Sequence, residues 1–234
     1  DGVYETIVTN TKYVGGNTDS YTRNFAADGT VISRTATAVT ASGLATLTNT
    51  DLNNDGVMDS VVQDLTLFWT NGSRTDNHYV KSGNNTVLSL DSVETSGNKL
   101  SILTKRDLNG DSTFDILVQD TTVLGADGSR TQTVTTKSAN STLSGQSRTV
   151  TSANELQVRV DIDANGDGTF ERSMLSTKTH NSDGSTTQTN TVNAADASLI
   201  GKSVTTVSAD GKSSQATSDI DGDGSNDRKE TVSV

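Results

Sequence analysis

A nine-residue segment rich in Asp, Asn and Gly occurs four times in this chain at a constant spacing. The copies begin at Asp51, Asp107, Asp163 and Asp219, so each start lies 56 residues after the one before. A fixed period without insertions indicates a series of similar structural units, and it constrains the fold more than any other feature.

The period divides the chain into repeats. We expect a partial first repeat at 1–50, complete repeats at 51–106, 107–162 and 163–218, and a partial last repeat at 219–234. Asp1, Gly2 and Glu5 match positions five, six and nine of the segment. The chain is therefore expected to begin and end inside a repeat and to belong to a longer array.

Turn residues divide each repeat into four predicted strands. In one copy the turns are Asn71-Gly72-Ser73, Gly83-Asn84-Asn85 and Ser96-Gly97-Asn98, and the intervening segments are rich in Thr and Val. Side chains alternate with a period of two, which is typical of strands. The prediction is an all-β chain of tandem 56-residue, four-stranded antiparallel repeats that form an elongated sheet or solenoid.

A β-propeller is the alternative fold, because four strands in about 50 residues also describe a propeller blade. A single ladder of about seventeen strands would be about 80 Å long, whereas a closed propeller would be a compact disc. Such a propeller would be a ligand-binding, lectin-like module.

The composition predicts shallow burial. Hydrophobic residues make up 30% of the chain and aromatic residues 4%, and Pro is absent. We expect uninterrupted strands with one modestly apolar face and one wet face. Trp69 is expected to be a packing residue rather than a platform for a sugar.

Charge and cysteine content indicate which partners the chain has. The net charge is −11 and the pI is about 4.5, so nucleic acid is a poor partner. Since Cys is absent, a metal would be bound through oxygen, which suits calcium. No apolar stretch is long enough to span a membrane.

The repeated segments match short calcium loops, with oxygen ligands at positions one, three, five and nine and a backbone carbonyl at position seven. The expected sites, about four in number, are Asp51, Asn53, Asp55, Val57 and Asp59; Asp107, Asn109, Asp111, Thr113 and Asp115; Asp163, Asn165, Asp167, Thr169 and Glu171; and Asp219, Asp221, Asp223, Ser225 and Asp227.

The four loops differ in detail. Position six needs a sharp turn and is Gly except at Ser112, while position eight is an apolar anchor except at Asn226. The fourth loop carries four acids and the others carry three, so charge favours the fourth site. Any one copy could be an ordinary solvated turn, but four copies at a fixed period favour calcium.

A helical EF-hand does not fit, because its position twelve should be Glu and is Val62 in the first copy. The loops resemble those of thrombospondin type 3 repeats and of integrin-type propeller repeats. The whole 56-residue unit resembles the tandem repeats of very large secreted bacterial calcium-binding proteins and adhesins. The resemblance implies an extracellular or cell-surface location, calcium-dependent rigidity, and attachment or matrix building.

Catalysis is not expected. His78 and His180 are the only histidines, both lie in polar segments, and there is no Cys for thiol chemistry. The predicted function is a calcium-stabilised spacer, filament or adhesin stalk. Its expected partners are calcium, neighbouring repeats or copies of itself, and cell-surface or matrix ligands.

Overall fold

The computed structural model describes residues 5–233, which form seventeen strands and no helix. The strands are β1 (Thr6–Lys12), β2 (Thr18–Phe25), β3 (Val31–Val39), β4 (Ala45–Asp51), β5 (Ser60–Phe68), β6 (Arg74–Ser82), β7 (Val87–Thr95), β8 (Ser101–Asp107), β9 (Ile116–Leu124), β10 (Arg130–Ser138), β11 (Leu143–Thr151), β12 (Gln157–Asp163), β13 (Arg172–His180), β14 (Thr186–Ala194), β15 (Leu199–Val207), β16 (Ser213–Asp219) and β17 (Arg228–Ser233). The prediction of an all-β chain with four strands per repeat is confirmed.

The chain divides into two compact units, Asp1–Val118 and Gln119–Val234. In the first unit each strand from β1 to β8 pairs antiparallel with the next. In the second unit the same holds from β10 to β17. The boundary falls inside β9 and not at a predicted repeat boundary.

Pairing continues across the junction between successive repeats, where a propeller would separate one blade from the next. The last strand of one copy, β4, pairs with the first strand of the following copy, β5, from Ala45–Leu65 to Thr50–Ser60. The strands β12 and β13, and β16 and β17, pair in the same way. The ladder in each unit is therefore open, and the propeller alternative is wrong.

The turns are built from Asn and Asp side chains that accept hydrogen bonds from the backbone two residues later. Asn71 accepts from the Ser73 N–H at 3.0 Å, and Asp127 accepts from the Ser129 N–H at 2.9 Å. Such Asx turns reverse the chain without help from burial. The Ser129 hydroxyl and N–H bonds to Asp127 lower the pKa of that carboxyl below its ordinary value.

Each unit is one layer thick. Within a unit, the strands of the described residues contact only the strands next to them in sequence. Val61 is the single buried hydrophobic residue among those described. The predicted shallow burial is confirmed, and backbone ladders with cross-strand side-chain pairs must supply most of the stability.

The apolar side chains do not share one face, contrary to the sequence prediction. Leu47 on β4 lies on the same face as Asp51, because residues of equal parity share a face of a strand. On β12, Val158 and Val160 lie on the face opposite to Asp163. Period two identified the strands correctly, but without a second layer neither face had to become apolar.

Trp69 is also placed differently from the prediction. Its side chain is 56% exposed, and its indole N–H donates to the Thr75 hydroxyl at 3.0 Å. The described strands form no second layer for the indole to pack against, so the expected packing role is wrong.

Candidate metal centres

The four predicted loops each join two antiparallel strands, and each begins with a buried aspartate. The loops comprise residues 51–59, 107–115, 163–171 and 219–227. Their first residues are the least exposed part of each loop, with Asp51 at 1%, Asp107 at 2%, Asp163 at 1% and Asp219 at 5%. Burying a carboxylate is costly unless hydrogen bonds or a cation compensate for its lost hydration.

Two hydrogen bonds within the loop recur in all four copies. The side chain of the third residue accepts from the N–H of the fifth, and the side chain of the fifth accepts from the N–H of the seventh. The first distances are 3.0, 2.9, 2.8 and 3.2 Å for Asn53, Asn109, Asn165 and Asp221. The second are 2.8, 2.7, 2.7 and 2.7 Å for Asp55, Asp111, Asp167 and Asp223.

The ninth residue closes each loop. One carboxylate oxygen of Asp59, Asp115, Glu171 and Asp227 accepts from the N–H of the second loop residue, at 2.7, 2.8, 2.8 and 2.7 Å. The other carboxylate oxygen of the ninth residue does not take part in this closure. In the third loop this oxygen, Glu171 Oε1, is buried and has no hydrogen-bond partner.

The sixth residue has a positive φ in every loop, as the sequence predicts. The values are 88° at Gly56, 89° at Gly168 and 90° at Gly224, and Ser112 adopts 72°. A non-glycine residue in this region costs about 1 kcal/mol. The second loop therefore carries backbone strain that the other three loops avoid at this position.

Carboxylates converge in two of the loops. Carboxylate oxygens of Asp163, Asp167 and Glu171 lie within 4.8 Å of one another, and so do those of Asp219, Asp221 and Asp227, so each group could hold a metal ion. Among the described residues, the acids of the first and second loops do not meet this criterion. The remaining predicted ligands, including the carbonyl groups of Val57, Thr113, Thr169 and Ser225, stay predictions.

Hydrogen bonds stabilise the ionised form of one of these acids. The Thr169 N–H, and next the Asn165 side chain, lower the pKa of the Asp167 carboxyl below its ordinary value. A carboxylate that is already ionised binds a cation without first losing a proton.

Cationic side chains from the sheet cover the aromatic anchors at position eight, a feature that sequence reasoning missed. The Lys105 ammonium lies 5.7 Å from the Phe114 ring centre, and the Arg148 guanidinium lies 5.1 Å from that of Phe170. These distances are within the range of cation–π contacts. Asn226 offers no ring to a neighbouring cation, so the fourth loop lacks this contact.

Besides covering Phe170, Arg148 pairs with Asp161, a buried carboxylate that the sequence did not single out. Asp161 is 1% exposed and accepts from Arg148 at 2.7 Å and from Arg159 at 2.8 Å. Burial alone would raise the pKa of the Asp161 carboxyl, but the two arginines outweigh burial and lower it. No periodic signal in the sequence marks this triad, because Asp161 occupies an ordinary strand position.

The first loop contains two buried oxygen atoms that have no hydrogen-bond partner, Asp51 Oδ1 and Asn54 Oδ1. Buried polar atoms are nearly always paired, so unpaired acceptors indicate a missing donor or cation. Carboxylate and amide oxygens are the donors that calcium prefers. The residues present therefore fit a calcium ion.

The comparisons with known proteins identify no family, because no family model and no curated protein matches the chain. The described residues contain no helix that is long and apolar enough to cross a membrane.

Proposed function

We propose that this chain is an extracellular, calcium-binding structural repeat protein that acts as a rigid spacer, filament or adhesin stalk. Calcium ions in the four loops would stiffen the junctions between successive repeats. Its partners would be calcium, neighbouring repeats or copies of itself, and cell-surface or matrix ligands.

One observation carries the proposal: the protein buries carboxylates where other proteins bury apolar side chains. Asp51, Asp107, Asp161 and Asp163 are its largest fully buried side chains, and Val61 is the one buried hydrophobic residue described. Asp161 has two arginine partners, whereas the other three each begin one of the candidate loops. Cations in the loops would compensate these buried negative charges.

The repeated architecture supports a mechanical role rather than a catalytic one. The loops recur at the same point of each repeat and have two internal hydrogen bonds in common, which favours four similar parts over one unique site. Each lies where the pairing of one repeat passes to the next, as at β4 and β5. An ion there would fix the connection between two repeats.

Force spectroscopy tests this role directly. The chain is pulled by its ends in millimolar calcium and again in chelator, and calcium is expected to raise the unfolding force. A variant with Asp51, Asp107, Asp163 and Asp219 changed to Asn is expected to lose this response.

The matched control changes Asp28, Asp127, Asp183 and Asp196 to Asn. This control also removes four negative charges, but from ordinary Asx turns outside the loops. It should keep the calcium response. Equal forces with and without calcium for the unmodified chain would contradict the proposed function.

A further inference from the structure

The first loop differs from the other three at its fourth residue. In the second, third and fourth loops this residue is glycine, and its N–H donates to Oδ1 of the first aspartate at 2.7, 2.6 and 2.7 Å. In the first loop the fourth residue is Asn54. Asp51 Oδ1 then has no hydrogen-bond partner, although Asp51 is only 1% exposed.

Steric contact explains the difference. Gly110, Gly166 and Gly222 lie so close to the carbonyl groups of Val87, Leu143 and Leu199 that a Cβ atom would overlap them. Asn54 carries a Cβ and cannot take that position against Val31, which begins the equivalent strand β3. In the first loop, accordingly, the Asn54 N–H does not donate to Asp51 Oδ1.

On its other side the first loop contacts the turn between β6 and β7. The Gly83 N–H donates to the Asp59 carbonyl at 3.1 Å, and a Cβ on Gly83 would overlap the Met58 carbonyl. The equivalent residues of the next two copies are Ala139 and Ala195. Asn54 and Gly83 are thus two residues by which this copy differs from the next two.

Two acceptors remain in the first loop, because Asn54 Oδ1 is buried and unpaired like Asp51 Oδ1. Arg34 lies opposite Asp51 in the β3–β4 pairing. Its buried Nε has no hydrogen-bond partner either, so the guanidinium does not satisfy the aspartate through that atom. The first loop therefore contains three acids and two buried oxygens that accept no hydrogen bond. Such an environment suits a cation.

We propose that Asn54 supplies an additional calcium ligand and that it acts together with the free Oδ1 of Asp51. The first loop then holds its ion with a ligand set that the other loops do not have. This inference rests on the proposed calcium binding. Loops one, two and three carry three acids each, so charge alone does not distinguish them.

A calcium titration followed by NMR tests the inference, with the amide signals of Gly56, Gly168 and Gly224 reporting on the first, third and fourth loops. Asn54→Gly gives the first loop the glycine that the others have. The calcium concentration at half-maximal shift of Gly56 should rise about tenfold, because one oxygen ligand is lost. The midpoints of Gly168 and Gly224 should not change.

Two further variants separate the ligand from the backbone. Asn85→Gly relaxes another positive φ, 66° against 57° at Asn54, in the adjacent turn and should leave all midpoints unchanged. Asn54→Asp keeps a side-chain oxygen and should retain or tighten the first site.

The possible failures differ in what they contradict. If Gly56 responds to calcium with the same midpoint in Asn54→Gly as in the unmodified chain, Asn54 is not a ligand, and only this inference is overturned. If calcium moves none of the three amides in the unmodified chain, both this inference and the proposed calcium binding are overturned.

Discussion

Removing calcium should destabilise this protein more than an ordinary globular protein, because almost no apolar burial offsets the loss. The perturbation is an excess of chelator over calcium at neutral pH. Each of the two units contains two loops, so both should respond. Repulsion among the loop acids is the first part of the expected effect.

The geometry of the third loop sets the scale of that repulsion. Oxygens of Asp163, Asp167 and Glu171 lie within 4.8 Å of one another. Two unit charges at this distance repel by about 1 kcal/mol even with the dielectric constant of bulk water. This repulsion opposes the closed loop when no cation is bound.

Binding adds a contribution through mass action. Extracellular calcium sites have dissociation constants of about 10⁻⁴ to 10⁻³ M, and a tenfold excess of free calcium stabilises each by about 1.4 kcal/mol. Four sites give about 5–6 kcal/mol, which is comparable to the total stability of many domains. For a chain of this length, Tm should fall by about 10–20 °C on chelation.

Calorimetry in calcium and in chelator measures this shift, and limited proteolysis locates it. Cleavage without calcium should increase at residues 51–59, 107–115, 163–171 and 219–227, where the strands β4 and β5, β8 and β9, β12 and β13, and β16 and β17 are joined. Magnesium at the same concentration controls for ionic strength. The same Tm and the same cleavage in calcium and in chelator would contradict this prediction.

Two further predictions concern single positions. Ser112→Gly should relieve the strain of the 72° φ, which costs about 1 kcal/mol, and tighten the second site by up to about fivefold; unchanged affinity in calorimetry would argue against this. Asp127→Asn and Asp183→Asn should keep the turns intact at pH 7, since Asn71 makes the same backbone hydrogen bond as Asp127. Because Ser129 and Ser185 lower the pKa of these aspartates, their stabilising effect is present above the ordinary pKa of 3.8 and is lost as the pH falls below it. The Asn variants should therefore lose less stability on acidification in chelator than the unmodified chain, and equal acid sensitivity in thermal melts would count against the prediction.

The sequence was sufficient to predict the strands, because their determinants are local. Asn71 and Asp127 recur at one turn position, the strands between turns alternate with period two, and the period of 56 residues repeats the pattern. The sequence of a single strand does not determine which of its two faces is buried. Leu47 and Val160 lie on opposite faces relative to the first aspartate of their own loops, and nothing in a strand's alternation says whether a second layer exists.

The candidate sites were predictable to a similar degree. The spacing of Asp, Asn and Gly identified the loops and the strained position of Ser112. It did not identify the cations over Phe114 and Phe170, because no common spacing marks them: Lys105 lies on β8, directly before its loop, whereas Arg148 lies on β11, one strand away from its loop. Nothing in the spacing singled out Asn54, and its proposed role depends on the neighbouring carbonyl groups that exclude a side chain from the other loops.

The four loops are proposed to bind calcium. Native mass spectrometry counts the bound ions after the chain has been equilibrated with millimolar calcium. We expect about four bound calcium ions per chain, and fewer in the variant with Asp51, Asp107, Asp163 and Asp219 changed to Asn. The control variant with Asp28, Asp127, Asp183 and Asp196 changed to Asn should still bind about four. A spectrum of the unmodified chain that shows no bound calcium would contradict calcium binding by the loops.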